Sequence, residues 1–359
     1  GVKNFRSFYE YTQFNMEAGA RLKKYNDTNT FICSGMKVLK SAFVFGGNAN
    51  GKTNIIRIFQ LLRHLVLKPT TSEIEPLVTD TFGNNNDATE FIVEFVKNET
   101  HYVYKLVYTA DVVQFESLEA AGKIIFERHN QQFELPKSLE SFTNNIRKNQ
   151  LVLFFAQNNN VDDAKEAFEW FAKDIVVLDL RKSDADLATT DLRIFSDLNT
   201  DIKFKNKIIA FLQAADFNIL DIDVRERIQK IPSITLEVGD DEEAHFSTDG
   251  LINRNIFDVY CIHQGVDNKK FTLHFTDESA GTKIFMLLAA YIFKNQSQDK
   301  VFLVDEFDAS LHIKLTEVLL DLFNKWNKGS QFILTTHSFD VMDYKLRPDQ
   351  IFFVEKNYC

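Results

Sequence analysis

The sequence GGNANGKT at residues 46–53 satisfies the pattern GxxxxGK[ST]. Its glycines let the chain wrap so that backbone N–H groups point inward, where phosphate oxygens can accept their hydrogen bonds. We call residues 46–53 the phosphate loop. Lys52 is expected to reach the β and γ phosphates of a nucleotide, and the Thr53 hydroxyl to ligate Mg²⁺. The predicted ATP-binding residues of this segment are Asn48, Ala49, Asn50, Gly51, Lys52, Thr53 and Asn54.

The residues on either side of the phosphate loop predict the strand and the helix that the motif requires. The run Val38–Phe45 is short and apolar, which is typical of a buried strand. Apolar residues from Ile55 to Leu65 follow helical spacing. An isolated turn is the alternative interpretation, and the order strand, glycine-rich loop, helix argues against it.

A second candidate element lies far along the chain, where the apolar run Val301–Val304 is followed by Asp305 and Glu306. Paired carboxylates at the end of a buried strand indicate a function, because an unpaired buried charge is costly. Asp305 is predicted to hold Mg²⁺ through its waters, and Glu306 to orient or deprotonate an attacking water. An acidic strand end is also a common surface feature. The combination with the phosphate loop favours the catalytic interpretation.

A third strand, Gln331–Thr335, is followed by Thr336, His337 and Ser338. A histidine near the end of a strand is more often structural than catalytic. Ligands gather, however, at the carboxyl ends of strands in a parallel sheet, and all three elements end there. We therefore predict that His337 contributes to catalysis by sensing the γ phosphate.

The pattern along the chain predicts an α/β fold in which a P-loop ATPase lobe carries an antiparallel β layer and an inserted helical lobe. Alternating segments at 89–96, 102–109 and 123–127 predict the β layer. Helical periodicity over 136–212 and a hairpin over 257–275 predict the insert. We expect residues 1–130 and 279–359 to form the two parts of the ATPase lobe, and residues 131–278 the helical lobe with its β insert.

Composition limits the possible partners. The 359 residues carry a formal charge of −10, so a global attraction to nucleic acid is not expected, although a local basic face is possible. Cys33, Cys261 and Cys359 lie far apart with no CxxC pair, which fits a reducing cytoplasm better than a disulfide framework or a zinc site. Apolar windows fall short of the roughly 18 residues of a membrane span, so we predict no membrane association. We expect both ends of the chain to be incomplete.

These elements resemble the ABC and SMC-like ATPases, in particular the AAA-family ATPases of the overcoming-lysogenization-defect type found in antiviral systems such as PARIS, Septu and retrons. Residues 277–282 read DESAGT and look like the ESxGT form of the signature motif. Residues 307–312 look like the D-loop, residues 335–338 like the switch loop, and residues 4–8 (NFRSF) like the opening of these proteins. The Q-loop glutamine is not fixed, since Gln114 and Gln157 are both candidates.

The resemblance implies an ABC-type ATPase head that hydrolyses ATP with Mg²⁺ and dimerises around it. The signature residues Ser279 and Gly281 are then expected to bind the ATP of a partner chain. The resemblance further implies a homodimer or higher homo-oligomer that senses an invader or restrains a separate effector, a nuclease or a toxin, in antiphage defence. Nucleases of this type append a TOPRIM domain, and the chain ends at Cys359 soon after His337, so we expect the effector on another protein or beyond that end.

Two other functions stay open at this stage. An SMC-like DNA repair or recombination clamp would show salt-dependent DNA binding, and the acidic balance and lack of a long coiled coil count against it. A detached nucleotide-binding subunit of a transporter would purify with a membrane protein. The ESAGT form and the β-rich insert argue against that third function.

Overall fold

The computed structural model describes residues 1–179, 192–238, 244–295, 298–309, 311–325 and 329–355, with the backbone alone described at 231–238, 244–249 and 254. The chain divides into two compact units. Unit 1 comprises Gly1–Asp179, Gln298–Ala309 and Thr316–Cys359, and unit 2 comprises Leu180–Ser297 and Ser310–Leu315. Ser310 of the predicted D-loop and Cys359 lie outside the described residues.

The strands and helices are numbered in chain order. The strands are β1 (Val2–Lys3), β2 (Thr30–Cys33), β3 (Met36–Leu39), β4 (Ser41–Phe45), β5 (Thr89–Lys97), β6 (Thr100–Tyr108), β7 (Val113–Ala120), β8 (Lys123–His129), β9 (Gln132–Glu134), β10 (Ile175–Asp179), β11 (Ile219–Val238), β12 (Ala244–Gln264), β13 (Lys270–His274), β14 (Val301–Asp305), β15 (Gln331–Thr336) and β16 (Ile351–Phe353). The α-helices are α1 (Asn26–Asn29), α2 (Lys52–Leu67), α3 (Val152–Asn158), α4 (Asp162–Glu169), α5 (Ile202–Ala214), α6 (Ala280–Lys294) and α7 (Ile313–Lys325).

A parallel sheet in unit 1 has the strand order β10-β14-β15-β4-β16. Its central strands β14, β15 and β4 are apolar and buried almost throughout, which is typical of strands covered on both faces. Their registers align the carboxyl ends, because Val304 pairs with Leu334 and Thr336 pairs with Phe45. The phosphate loop, the acidic pair and His337 therefore follow their strands at one edge of the sheet, as the sequence predicts.

An antiparallel sheet of order β1-β5-β6-β7-β8-β9 forms a second layer of unit 1. Its inner residues, such as Phe91 and Tyr104, belong to the same buried cluster as Val44 of β4, Leu62 of α2 and Leu303 of β14. The α/β fold class with an antiparallel β layer is thus confirmed. Packing of α2 within this cluster fixes the helix that begins at the phosphate loop.

Two local predictions differ from the structure. The run Val38–Phe45 forms parts of two strands that separate at Lys40, whose Nζ donates to the carbonyl oxygen of Asn324 at 3.0 Å. Strand β10 lies in a stretch predicted as helical. Its sequence IVVLD is a short β-branched run, and periodicity alone does not distinguish such a run from a buried helical segment.

Unit 2 combines the sheet β11-β12-β13 with α5 and α6. Helices α5 and α6 pack through the stacked rings of Phe211 and Phe285, whose centroids lie 4.9 Å apart. No described helix in either unit has both the length and the apolar character needed to cross a membrane.

The boundaries of the two units differ from the predicted lobes. Residues 131–179 belong to unit 1, because β10 pairs in parallel with β14 and brings the preceding helices with it. Residues 279–297 belong to unit 2, in which α6 packs on α5.

Candidate nucleotide-binding site

The phosphate loop connects the end of β4 at Phe45 to the start of α2 at Lys52. Gly51 has a φ of +99°, and a Cβ there would lie 2.5 Å from Ser7 Oγ. A Cβ at Gly46 would lie 2.5 Å from the carbonyl oxygen of Val354. The backbone path therefore requires glycine at both positions. Residues 47–49 between them are exposed. Asn48 and Ala49, which are predicted to contact ATP, are therefore accessible to a ligand.

The N-terminus of α2 suits an anion. Among the described residues no side chain caps it, and its first turn contains no acidic residue. Backbone N–H groups in the first turn of a helix lack intrahelical acceptors, and the helix dipole adds positive potential. These properties are those of a phosphate-binding helix terminus.

Lys52 folds back over its own loop. Its Nζ donates to the carbonyl oxygens of Gly46 at 2.8 Å and Gly47 at 3.0 Å, and lies 3.2 Å from His337 Nδ1. Burial lowers the pKa of Lys52, while the nearby Glu306 and Asp305 carboxylates oppose that shift. The ammonium group of Lys52 is thus hydrogen-bonded to two neutral carbonyl oxygens of the phosphate loop. A phosphate oxygen can replace them as the acceptor, and the hydrogen bond is then stronger because both partners are charged.

Thr53 and Asp305 provide a donor set that fits Mg²⁺. Thr53 Oγ1 lies 3.1 Å from each carboxylate oxygen of Asp305. A hydroxyl and a carboxylate are hard oxygen ligands, which Mg²⁺ combines with waters and substrate phosphates. The predicted metal-binding residues Thr53 and Asp305 are therefore adjacent, although 252 positions apart in the chain.

Glu306 and His337 are in hydrogen-bond contact beside Lys52. Glu306 Oε1 lies 3.1 Å from His337 Nε2. Since an ammonium group can only donate, the His337 tautomer that satisfies both contacts accepts from Lys52 at Nδ1 and donates to Glu306 from Nε2. Glu306 has a backbone φ of +49°, in the left-handed region. A cavity of about 290 Å³ next to them is lined by Glu306, Asp308, Ala309, His337 and Ser338.

Thr335 connects the two acidic residues, and the sequence did not predict this role. Its side chain is fully buried. Its Oγ1 donates to Asp305 Oδ1 at 2.6 Å and accepts from the backbone N–H of Glu306 at 2.8 Å. One hydroxyl therefore orients the predicted Mg²⁺ ligand and the backbone of the predicted base.

Replacing Thr335 by valine is expected to lower kcat for ATP hydrolysis by about tenfold or more and the free energy of unfolding by about 1–3 kcal/mol. Valine has a similar shape but leaves the Asp305 oxygen and the Glu306 N–H without this partner. Steady-state turnover and urea unfolding measure the two effects. Thr335→Ser keeps the hydroxyl and is expected to retain most activity. Equal turnover in Thr335→Val and the wild type would show that the Thr335 hydroxyl does not contribute to catalysis.

A second pair of residues was not predicted either. Thr336 Oγ1 donates to Asp308 Oδ2 at 2.7 Å and accepts from the N–H of Ser338 at 3.0 Å. Burial raises the pKa of Asp308, against the hydrogen bond from Thr336. These contacts tie the D-loop candidate to the switch-loop candidate. They depend on strand register, for which a single sequence carries no direct signal.

The opening motif and the remaining loop residues lie around the start of α2. Ser7 Oγ accepts from Asn54 Nδ2 at 2.8 Å, and Arg6 Nη1 donates to Asn54 Oδ1 at 3.1 Å. Arg6 Nε also donates to Asp80. Asn50 Nδ2 donates to the carbonyl oxygen of Val354 at 3.4 Å. The side chains of Asn54 and Asn50 thus already make contacts within unit 1.

The signature candidate lies in unit 2. Ser279 is exposed and caps α6, since its Oγ accepts from the N–H of Thr282 at 3.1 Å. Gly281 is in the first turn of the same helix. Of the two Q-loop candidates, Gln114 is exposed on β7, and Gln157 on α3 donates to Asn158 at 2.8 Å.

A buried parallel sheet, a glycine-dependent loop before a helix, and a threonine–aspartate pair define a P-loop nucleotide-binding domain. A protein-family model described as "AAA domain, putative AbiEii toxin, Type IV TA system" matches residues 41–343. The chain therefore belongs to this AAA-domain family. No curated protein matches the sequence.

Solved structures of SMC heads are similar at low sequence identity. A head from Thermotoga maritima matches with 14% identity and a TM-score of 0.40, covering 95% of this chain and 89% of that one. A Pyrococcus furiosus head with an extended coiled coil, bound to the C-terminal domain of ScpA, matches with 13% identity and a TM-score of 0.43, covering 89% of each chain. An SMC head bound to the C-winged helix domain of ScpA matches with 14% identity and a TM-score of 0.42, covering 86% of each chain.

Proposed function

We propose that this protein is an ATPase of the SMC-like, overcoming-lysogenization-defect type, which binds Mg-ATP at the phosphate loop and hydrolyses it. The observation that carries this proposal is the presence of two hydrogen-bonded sets at one edge of the sheet, in which His337 contacts Lys52 and Glu306, and Thr53 contacts Asp305. These residues come from three strand ends of one parallel sheet. A structural role alone would not require a lysine, two carboxylates and a histidine at a glycine-dependent loop.

The residues divide the chemistry between them. Lys52 and the N-terminus of α2 hold the phosphate charge, and bound Mg²⁺, held by Thr53 and Asp305, would neutralise charge on the phosphate oxygens. Glu306 accepts a proton from the attacking water as the water oxygen bonds to the γ phosphorus. The bond from that phosphorus to the bridging oxygen breaks, and the electron pair of this bond stays on the oxygen of the departing ADP. His337 keeps Glu306 oriented through the contact between its Nε2 and Glu306 Oε1.

We further propose that two chains pair around two ATP molecules, with Ser279 of each chain completing the site of the other. Ser279 is exposed at the N-terminus of a 15-residue helix, where a hydroxyl and helix N–H groups can meet an anion. Hydrolysis removes the bridging charge and separates the pair, so ATP sets the population of a closed state.

This cycle would control a separate effector, a nuclease or a toxin, in antiphage defence. The family description names a putative toxin of a type IV toxin–antitoxin system, and that wording supports a link to a toxin.

The Glu306→Gln variant is expected to double in mass on adding Mg-ATP, because it binds the nucleotide and turns it over slowly. Light scattering after size exclusion measures the mass. Adding Ser279→Arg is expected to abolish the increase while fluorescent-ATP binding persists, since arginine fills the space of the γ phosphate. Asp201→Ala is the matched control, because Asp201 also caps a helix of unit 2, through the N–H of Phe204 at 3.0 Å. A Glu306→Gln protein with Ser279 intact that binds ATP and keeps the mass of one chain would refute the ATP-bridged pair.

A further inference from the structure

The signature segment is anchored inside its own unit by a buried pair. Glu278, directly before Ser279, is 9% exposed, and its Oε1 lies 2.6 Å from Nε2 of His263 on β12. His263 is also 9% exposed. Burying a carboxylate is costly unless a partner compensates it, and removing one partner costs more than the intact pair contributes. The segment is therefore held where Glu278 meets His263.

The strand side of this anchor is itself fixed by packing. The His263 ring stacks on Phe271 of β13, with centroids 5.2 Å apart and an interplanar angle of 16°. Cys261 lies two residues before His263 and so on the same face of β12. Its Sγ is 3.6 Å from Met286 Sδ of α6, and burial, followed by the adjacent Glu278 carboxylate, raises the pKa of the Cys261 thiol. Glu278 therefore meets two residues of β12, which are themselves packed against β13 and α6.

The residues on either side of Glu278 differ in exposure. Phe275 is fully buried and accepts a backbone hydrogen bond from the N–H of Glu278 at 3.2 Å. Ser279 follows Glu278 and is exposed, and successive Cα atoms are about 3.8 Å apart. The buried side chains of Phe275 and Glu278 thus fix this segment against the interior of unit 2. The position of Ser279 follows from theirs.

We infer that His263 and Glu278 are a positioning pair, which sets where Ser279 presents its hydroxyl to the triphosphate of a neighbouring chain. The inference rests on the proposed function and deepens it. The pair acts through the backbone at Glu278 and the start of α6, all of which belong to unit 2. Changes in the pair are therefore expected to alter ATP-dependent pairing and to spare ATP binding by a single chain.

The test uses the full chain carrying Glu306→Gln as the parent. We expect His263→Ala or Glu278→Ala to raise the ATP concentration for half-maximal pairing by about tenfold or more, since small displacements of a positioned group are costly. His263→Gln and Glu278→Gln are expected to pair at an ATP concentration closer to that of the parent, because the amide can donate or accept a hydrogen bond in the same place. Fluorescent-ATP affinity, measured in dilute protein, stays unchanged in all four variants.

The matched control is His129→Ala. His129 Nε2 lies 2.9 Å from Glu127 Oε1, but its side chain is 61% exposed, so the same pairing is solvated there. We expect no change in pairing for this variant. Unchanged ATP dependence in His263→Ala, within a parent that pairs, would overturn the inference and leave the proposed function intact.

Hydrogen exchange without nucleotide tests the anchor directly. Amides of residues 275–283 are expected to exchange faster in His263→Ala than in the parent, and those of residues 46–54 at the same rate. Equal exchange at 275–283 would overturn the inference, including in a variant of lowered stability. A parent that stays a single chain with ATP would instead refute the proposed pairing, and the exchange rates would then still decide whether the two side chains hold the segment.

Discussion

Glu306→Gln is expected to lower kcat for ATP hydrolysis by about 10²–10⁴-fold, the usual contribution of a general base. The amide keeps the shape and can still accept from His337 Nε2, so the site stays intact while the proton acceptor is lost. Phosphate release under saturating Mg-ATP measures the effect, and fluorescent-ATP binding is expected to be retained.

The control for this change is Glu317→Gln, which removes the same charge from an exposed position on α7 and is expected to leave turnover unchanged. Turnover of Glu306→Gln within a few-fold of the wild type would show that another group takes the proton. Asp308 would then be the nearest candidate, because it lines the same cavity.

Lys52→Ala is expected to weaken ATP binding by about 100-fold, in line with the cost of removing one partner of a desolvated charge pair. The variant lacks the ammonium group that donates to the carbonyl oxygens of Gly46 and Gly47. In the proposed complex this group would donate to phosphate oxygens instead. Titration with a fluorescent ATP analogue measures the affinity.

Lys68→Ala is the matched control, because Lys68 is exposed just beyond the opposite end of α2. It carries the same charge and is expected to leave ATP affinity unchanged. Equal affinities of Lys52→Ala and the wild type would place the nucleotide elsewhere and remove the basis of the proposed function.

Much of the site was predictable from the sequence because its residues lie next to strongly patterned elements. The phosphate loop follows an apolar strand, and Asp305 and Glu306 end another, so strand ends and their chemistry coincide. The parallel sheet then brings Thr53 and Asp305 together without further information. The same reasoning predicted the position of His337.

The rest depends on register and long-range packing. The role of Thr335 follows from the alignment of β14 with β15, and the pairing of His263 with Glu278 spans 15 positions through a sheet and a turn. Neither has a local pattern in one sequence. The division into two units depends on long-range pairing in the same way, since the short strand β10 joins a sheet whose other strands are distant in the chain.

The left-handed backbone at Glu306 has an evolutionary consequence. A residue with a Cβ pays about 1 kcal/mol to occupy this region, and glycine would occupy it freely. The residue best suited to the local geometry is thus one that could not accept the proton in the proposed reaction. If the proposed role of Glu306 holds, selection for stability and selection for turnover oppose each other at this position, and a sequence optimised for folding alone would favour glycine here.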